Sequence, residues 1–414
     1  MIDPAQQFDA VADLFIAEGR IAGLGHPPAG FAADRVIDAR NNIVCPGLID
    51  LCARLREPGQ ENKATIASET CAAAAGGITT LVCPPDTDPV IDEPAVVELI
   101  RRRAKAAGYA RVLALGALTH RLRGERLAEM AALKEAGCIG IGDGGRPVAN
   151  TRVLRRALEY AATFDLTVFL TPFDPELGHG LAHEGQVATR LGLPGIPAAA
   201  ETGTLARDLE LVRDLGVRVH FGRLSSARAV ELVARARAEG LPVTADVAIH
   251  HLHLTEIDLV GFDSRCHVRP PLRGLSDKDA LRTGLASGVL GALCSDHQPH
   301  EPDAKQAPLG DTEPGISGLD TLLALSLRLA RDGVLPLLVV IERLTWGPAR
   351  ILGLDGGHLG TGVPADICVF DPNAVWLLEP GALHSRGQNT PFVGWELQGR
   401  VTHTLLEGQV VFEG

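Results

Sequence analysis

The chain has eight cysteines but no CxxC pair, no apolar run long enough to span a bilayer, and no basic run beyond Arg101-Arg102-Arg103. Each absence excludes something. The cysteines, at 45, 52, 71, 83, 138, 266, 294 and 368, lie mostly in apolar strand-like runs such as Leu81-Val82-Cys83 and Ala292-Leu293-Cys294. They read as buried thiols in a reducing cytoplasm. The amino terminus lacks both a basic n-region and a long apolar h-region, so a secretory leader is not expected and the protein is read as cytoplasmic, with no membrane partner. A formal net charge of −12 argues against a nucleic-acid surface. Arg101-Arg102-Arg103 sits in a helical pattern and reads as a solvated face. No GxGxxG follows a first strand, no GxSxG elbow is present, and Gly315-Ile316-Ser317-Gly318 lacks the glycine spacing that such an elbow needs. Low-complexity linkers and internal repeats are also missing.

What remains is ample core material: 46% hydrophobic and 22% charged residues over 414 positions. That length suits a barrel of about 250 residues with insertions or an appended subdomain. From residue 76 onward, short β-rich runs alternate with helical patterns, which is the signature of βα units and a parallel sheet. Gly77–Cys83 reads as a strand buried on both faces. Asp92 as N-cap and Pro94 start a helix that runs to Gly108. The strand 111–118 follows, then helix 125–136, strand 138–141, helix 151–162, strand 166–170, helix 205–215, strand 217–221, helix 227–238 and strand 242–247. This repetition favours a (β/α)8 TIM barrel over an open sheet, which pattern alone leaves possible. Both ends are strand-like and turn-rich, at 13–21, 365–370 and 401–412. They predict one small β subdomain built from both termini: residues 1–47 and 351–414 beside a barrel of 48–350.

Pro46-Gly47-Leu48-Ile49-Asp50-Leu51-Cys52-Ala53-Arg54-Leu55-Arg56-Glu57-Pro58-Gly59 resembles the PGLIDxHxHLREPG segment of dihydroorotases, members of the amidohydrolase superfamily, in which the two histidines hold zinc. Here those positions are Cys52 and Arg54. The resemblance extends along nearly the whole chain, and it implies the other ligand positions one by one. Ile141 to Pro147 resembles FSDDGRP, with Gly144 where the second aspartate would ligate. Val168 to Leu177 resembles VIxHxEDPEL, with Thr171 at the histidine. His220 to Ser226 resembles HxxHVST, with Arg223 at the ligand histidine. Ser295 to His300 resembles SDHAPH and keeps Asp296, in the family both ligand and general base. Gly362 to Ile367 is similar to the family's G-x-x-A-D-[IL] signature.

Arginine has no lone pair to donate and stays protonated. Zinc is therefore not expected, nor any other cofactor, and Asp296 would have no activated water to use. Two readings of the arginines stand side by side: Arg54 and Arg223 pair with Asp296 and replace the lost positive charge, or each has turned outward. Arg56 matches the family arginine that holds the substrate carboxylate and is read as vestigial. The asparagine of the PNT motif is Asp86, which would repel an anionic substrate, and that of NPPLR is Arg269. His250, His251 and His253 are not read as a metal site, because on a strand His250 would face away from the other two. His297 and His300 read as structural.

The resemblance thus implies a catalytically inactive dihydroorotase-like chain. Some chains of this kind associate with the catalytic chains of aspartate carbamoyltransferase and support their assembly in pyrimidine biosynthesis. A hetero-oligomer is the expectation, with a homodimer through the barrel as an additional option. The alternatives are an active cyclic amidohydrolase with a metal-poor site, using Asp296 as base and Arg54 or Arg223 as electrophile, and a sensor that binds an anionic metabolite through Arg54, Arg56 and Arg223.

Overall fold

A computed structural model describes residues 1–414. Eight parallel strands form one sheet: Leu48–Asp50, Ile78–Cys83, Arg111–Ala117, Gly140–Gly142, Val168–Leu170, Val219–Phe221, Val243–Ala248 and Ala292–Cys294. Each pairs with its predecessor in the chain. A parallel bridge between Ala53 and His297 joins the first strand's extension to the last one's and closes the circle. Most of these strands are short apolar runs buried on both faces, as expected where helices cover a parallel sheet. The fold is the expected amidohydrolase-type (β/α)8 barrel.

The helices follow their caps. Ala227–Ala238 starts where Ser226 accepts from Ala229 N, and Thr151–Thr163 starts where Asn150 accepts from Arg152 N and Val153 N. Several expected boundaries are corrected. The helix expected at 125–136 is only Met130–Glu135. Its first turn is lost because Arg126 O accepts from His120 N at 2.9 Å and Ala128 N donates to Leu118 O. The N-cap before Pro94 is Glu93, not Asp92. Asp92 instead accepts from Arg121 N and contacts His120 Nδ1, both at 2.8 Å. The helix expected from Leu205 begins at Ala199. His250 and His251 lie in a 3₁₀ turn, Ile249–Leu252, rather than on a strand. The alternation argument for that segment therefore does not apply.

Both termini meet beside the barrel. Ile43–Pro46 pairs antiparallel with Ile367–Leu377, which pairs with Glu396–Leu406, which pairs with Gln409–Glu413. A hairpin of Leu14–Ala17 and Arg20–Leu24 packs Ile21 into a small core with Leu359, Val363 and Ile367. No helix is long and apolar enough to cross a membrane. Seven of the eight thiols are buried, and Cys71 is partly exposed.

Candidate functional site

The site lies where the barrel strands end. Asp50, fully buried, accepts from Ser295 N at 2.9 Å and from Cys52 N at 3.3 Å, stitching the first strand to the last. Burial pushes its carboxyl up to about 6, against the hydrogen bonds from Ser295 and Cys52. Just beyond this stitch the backbone turns sharply on both sides. Arg56 and Asp296 have φ of 62° and 45°, and Arg223, after the sixth strand, has 59°. Such left-handed backbone at non-glycine residues costs about 1–3 kcal/mol each and clusters at functional sites.

These turns bring Cys52, Arg54, Arg223 and Asp296 together. Arg54 Nη1 lies 3.3 Å and Arg223 Nε 3.4 Å from Asp296 Oδ1. Of the two open readings, the paired one is found. Arg54 also donates from Nε to Asp86 Oδ2 at 2.6 Å. Arg223 donates to Cys52 Sγ at 2.8 Å and to Thr171 Oγ1 at 2.7 Å, leaving Nε without a directed hydrogen bond. Two guanidiniums thus face two carboxylates. Burial pushes the Cys52 thiol up to about 12, so it stays protonated.

Three polar residues beneath this cluster carry no expected role, although His220 opens one of the quoted segments. Asp143 accepts from Gly145 N and Thr171 N, each at 2.8 Å, and burial raises it to about 6. His220 Nε2 lies 3.0 Å from Asp246 Oδ2 and its Nδ1 lies 2.9 Å from Thr244 Oγ1. Asp246 also accepts from Arg223 N and so fixes the turn that aims the guanidinium inward. The available signal was one aspartate inside the apolar strand Val243–Ala248, where an unpaired carboxylate would be costly. Cys52, Gly144, Thr171, His220, Arg223 and Asp246 line a cavity of only about 30 Å³. That is room for about two water molecules.

A Dihydro-orotase-like family model matches residues 41–229, and an Amidohydrolase family model matches residues 181–412. A dihydroorotase-like protein of Pseudomonas aeruginosa is 52% identical over 100% of this chain and 98% of its own length. The chain belongs to the dihydroorotase-like amidohydrolase family. A dihydroorotase of Geobacter sp. (strain M21) is 42% identical over 100% of this chain and 97% of its own length. Among solved structures, the L-hydantoinase (dihydropyrimidinase) from Arthrobacter aurescens superposes with a TM-score of 0.88 at 22% identity, covering 97% of this chain and 92% of that one. Dihydropyrimidinase from Brevibacillus agri NCHU1002 gives 0.85 at 20% identity, covering 100% and 93%. At that identity the likeness shows the fold alone.

In this dihydroorotase-like frame the residues of the ligand positions can be tested against zinc, which takes thiolate, imidazole or carboxylate donors. Cys52, Arg54, Gly144, Thr171, Arg223 and Asp296 include only two side chains of those kinds, fewer than the three or four that zinc takes. A divalent ion beside Asp296 would also meet two guanidiniums within ion-pair distance of the same oxygen. The set does not fit zinc. Gly144 adopts φ of 59°, and a Cβ added there would lie 3.0 Å from Leu122 Cδ1 and 3.3 Å from Asp86 Cβ.

The remaining family positions are occupied by contacts within the chain. Arg56 donates from Nε to Pro299 O at 3.1 Å and from Nη1 to Gln60 Oε1 at 3.2 Å, and its Nη2 lies 3.1 Å from His300 Nε2. Burial, aided by the Arg54 charge, pulls Arg56 down to about 10. Asp86 was expected to stand as a repelling charge, but it is bound to Arg54. Arg269 lies apart from the cluster, its guanidinium 5.5 Å above the Phe173 ring. The His250 and His251 rings lie 4.5 Å apart between centroids, tilted by 39°, and His253 Nε2 contacts Leu325 O at 2.9 Å. His297 is wholly buried and meets Glu69 Oε2 at 2.7 Å.

Proposed function

We propose that this chain is a non-catalytic dihydroorotase-like subunit that associates with the catalytic chain of aspartate carbamoyltransferase and supports its assembly. The observation that carries this reading is the double contact of Arg54 and Arg223 with Asp296. In it the one retained family base is held by two cations, and the neighbouring cavity lined by Cys52, Thr171 and Arg223 is only about 30 Å³. A general base works through a substrate proton or an activated water within hydrogen-bond reach. Here two fixed guanidiniums take that place, so the proposal includes no zinc and no hydrolysis. A scaffold needs its fold and surface but no metal, which accounts for a complete barrel around an altered centre. The protein works in the cytoplasm, as a hetero-oligomer.

The second reading is an active cyclic amidohydrolase. It is favoured by relatives named dihydroorotase that are 42–44% identical over the full chain. The test is to purify the same organism's aspartate carbamoyltransferase chain with and without this protein, and to measure particle mass and carbamoyl transfer. A defined large complex with activity only when both are present supports the assembly role. A transferase that assembles and works alone overturns it, and ring closure of carbamoyl aspartate by this chain alone would establish the second reading.

A further inference from the structure

Cys45 and Cys368 stand directly opposite each other in the antiparallel pair formed by Ile43–Pro46 and Ile367–Leu377. No other pairing in the sheets sets cysteine against cysteine: Cys83 faces Ala114, and Cys294 faces Ala248. Residues opposed in an antiparallel pair share a face, with Cα atoms about 4.5 or 5.5 Å apart. Disulfides span about 4.4–6.8 Å between Cα atoms. The neighbouring Cys368 and, next, burial both push the Cys45 thiol well above its ordinary range. Cys368 Sγ also packs over Gly77, where an added Cβ would come within 2.5 Å of it. The sulfur therefore sits in a slot between the barrel and the subdomain, with its partner across the strand.

From this register we infer that Cys45 and Cys368 form an oxidisable pair whose disulfide locks the two terminal segments of the β subdomain together. The step balances with a peroxide as oxidant. One thiol gives up its proton, its thiolate attacks the peroxide oxygen and becomes a sulfenic acid, and the hydroxide released takes up that proton to leave as water. The second thiol then displaces the sulfenic oxygen as a second water and closes the S–S bond. Both side chains are fully buried. Reaction therefore waits on opening of Ile43–Pro46, which is the edge strand of its sheet. That strand runs through Gly47 into the first barrel strand, and the closed covalent loop would contain nearly the whole barrel. A loop of that length is the case in which a cross-link constrains the unfolded chain most.

The test uses the full chain, treated with hydrogen peroxide or left reduced, alkylated under denaturing conditions and mapped by mass spectrometry without reduction. The expected result is one linked peptide pair containing Cys45 and Cys368, a Tm raised by roughly 5 °C or more, and reversal of both by dithiothreitol. Cys45→Ser should abolish the linked peptide, whereas Cys71→Ser should leave it in place. If Cys45 and Cys368 remain alkylatable while Cys71 oxidises, or if a different pair links, the inference is overturned. The map of the unmutated chain decides this even if a substitution prevents folding.

Discussion

Arg54 Nε donates to Asp86 Oδ2 at 2.6 Å, so two departures from the family pattern, on extensions of neighbouring barrel strands, satisfy each other. Their side chains are 10% and 17% exposed, which places the pair well inside the range where removing one partner hurts. Asp86→Asn should lower stability to urea by about 2–3 kcal/mol. Arg54→Met should cost less in the Asp86→Asn background than in the unmutated chain, by about 1–3 kcal/mol of coupling. Strict additivity in that cycle would show that the pair contributes no energy.

On the proposed reading, the two arginines also exclude a divalent ion. Dialysed against zinc and freed of excess, the unmutated chain should retain well under one ion per chain by elemental analysis. The double substitution Arg54→His/Arg223→His removes both repelling charges and places two imidazoles beside Asp296 and Cys52, a donor set of the kind zinc accepts. That variant should retain clearly more zinc than the unmutated chain. Equal retention in the two would mean that the guanidiniums are not what excludes the ion.

Legibility varied with how local the cause was. Ser226 and Asn150 cap their helices through neighbouring amides, so both starts were readable from composition and spacing. The first turn expected at 125–129 failed because residues 118–120 compete for its backbone groups, a choice no helical periodicity reports. At the site, Cys52, Arg54, Gly144, Thr171 and Arg223 were each found because they interrupt a recognisable run, and Asp296 because its run is kept. Their partners were less visible: Asp86 could be read as a stray charge until the fold carried it to Arg54. Asp246 interrupts no quoted segment, and only the barrel shows that it holds both His220 and Arg223 N.

A second buried pair, Glu69 with His297, carries a pH prediction of its own. Glu69 accepts from His297 at 2.7 Å, from Ser385 Oγ at 2.6 Å and from Ser68 Oγ at 2.7 Å. Burial raises its carboxyl, but these hydrogen bonds, led by His297, outweigh burial and hold it below the usual glutamate range. A depressed carboxyl contributes stability above its unfolded pKa, and the contribution is lost as pH falls through the folded value. Glu69→Gln should cost about 3–5 kcal/mol at pH 7, with the difference from the unmutated chain shrinking in acid. A penalty that stays constant down to pH 4 would contradict the assigned charge.

Asp208 runs the other way. It is 2% exposed on the helix Ala199–Leu215, and burial pushes its carboxyl up to about 7, opposed by Arg207 and reinforced by the nearby Asp143. Its unfolded value is about 3.9. Because the folded chain binds the proton more tightly, the stabilising contribution is fully present below pH 4 and is lost as pH rises through 7. Asp50 and Asp143, both raised to about 6 chiefly by burial, act in the same direction and lose their contributions through pH 6. Asp208→Asn keeps a neutral group at the position at every pH. Between pH 5 and pH 8 the unmutated chain should therefore lose about 2–3 kcal/mol of stability relative to that variant, measured by urea unfolding at matched ionic strength. Parallel stability curves for the two chains would place the Asp208 titration outside this window and remove the buried, neutral carboxyl from the account.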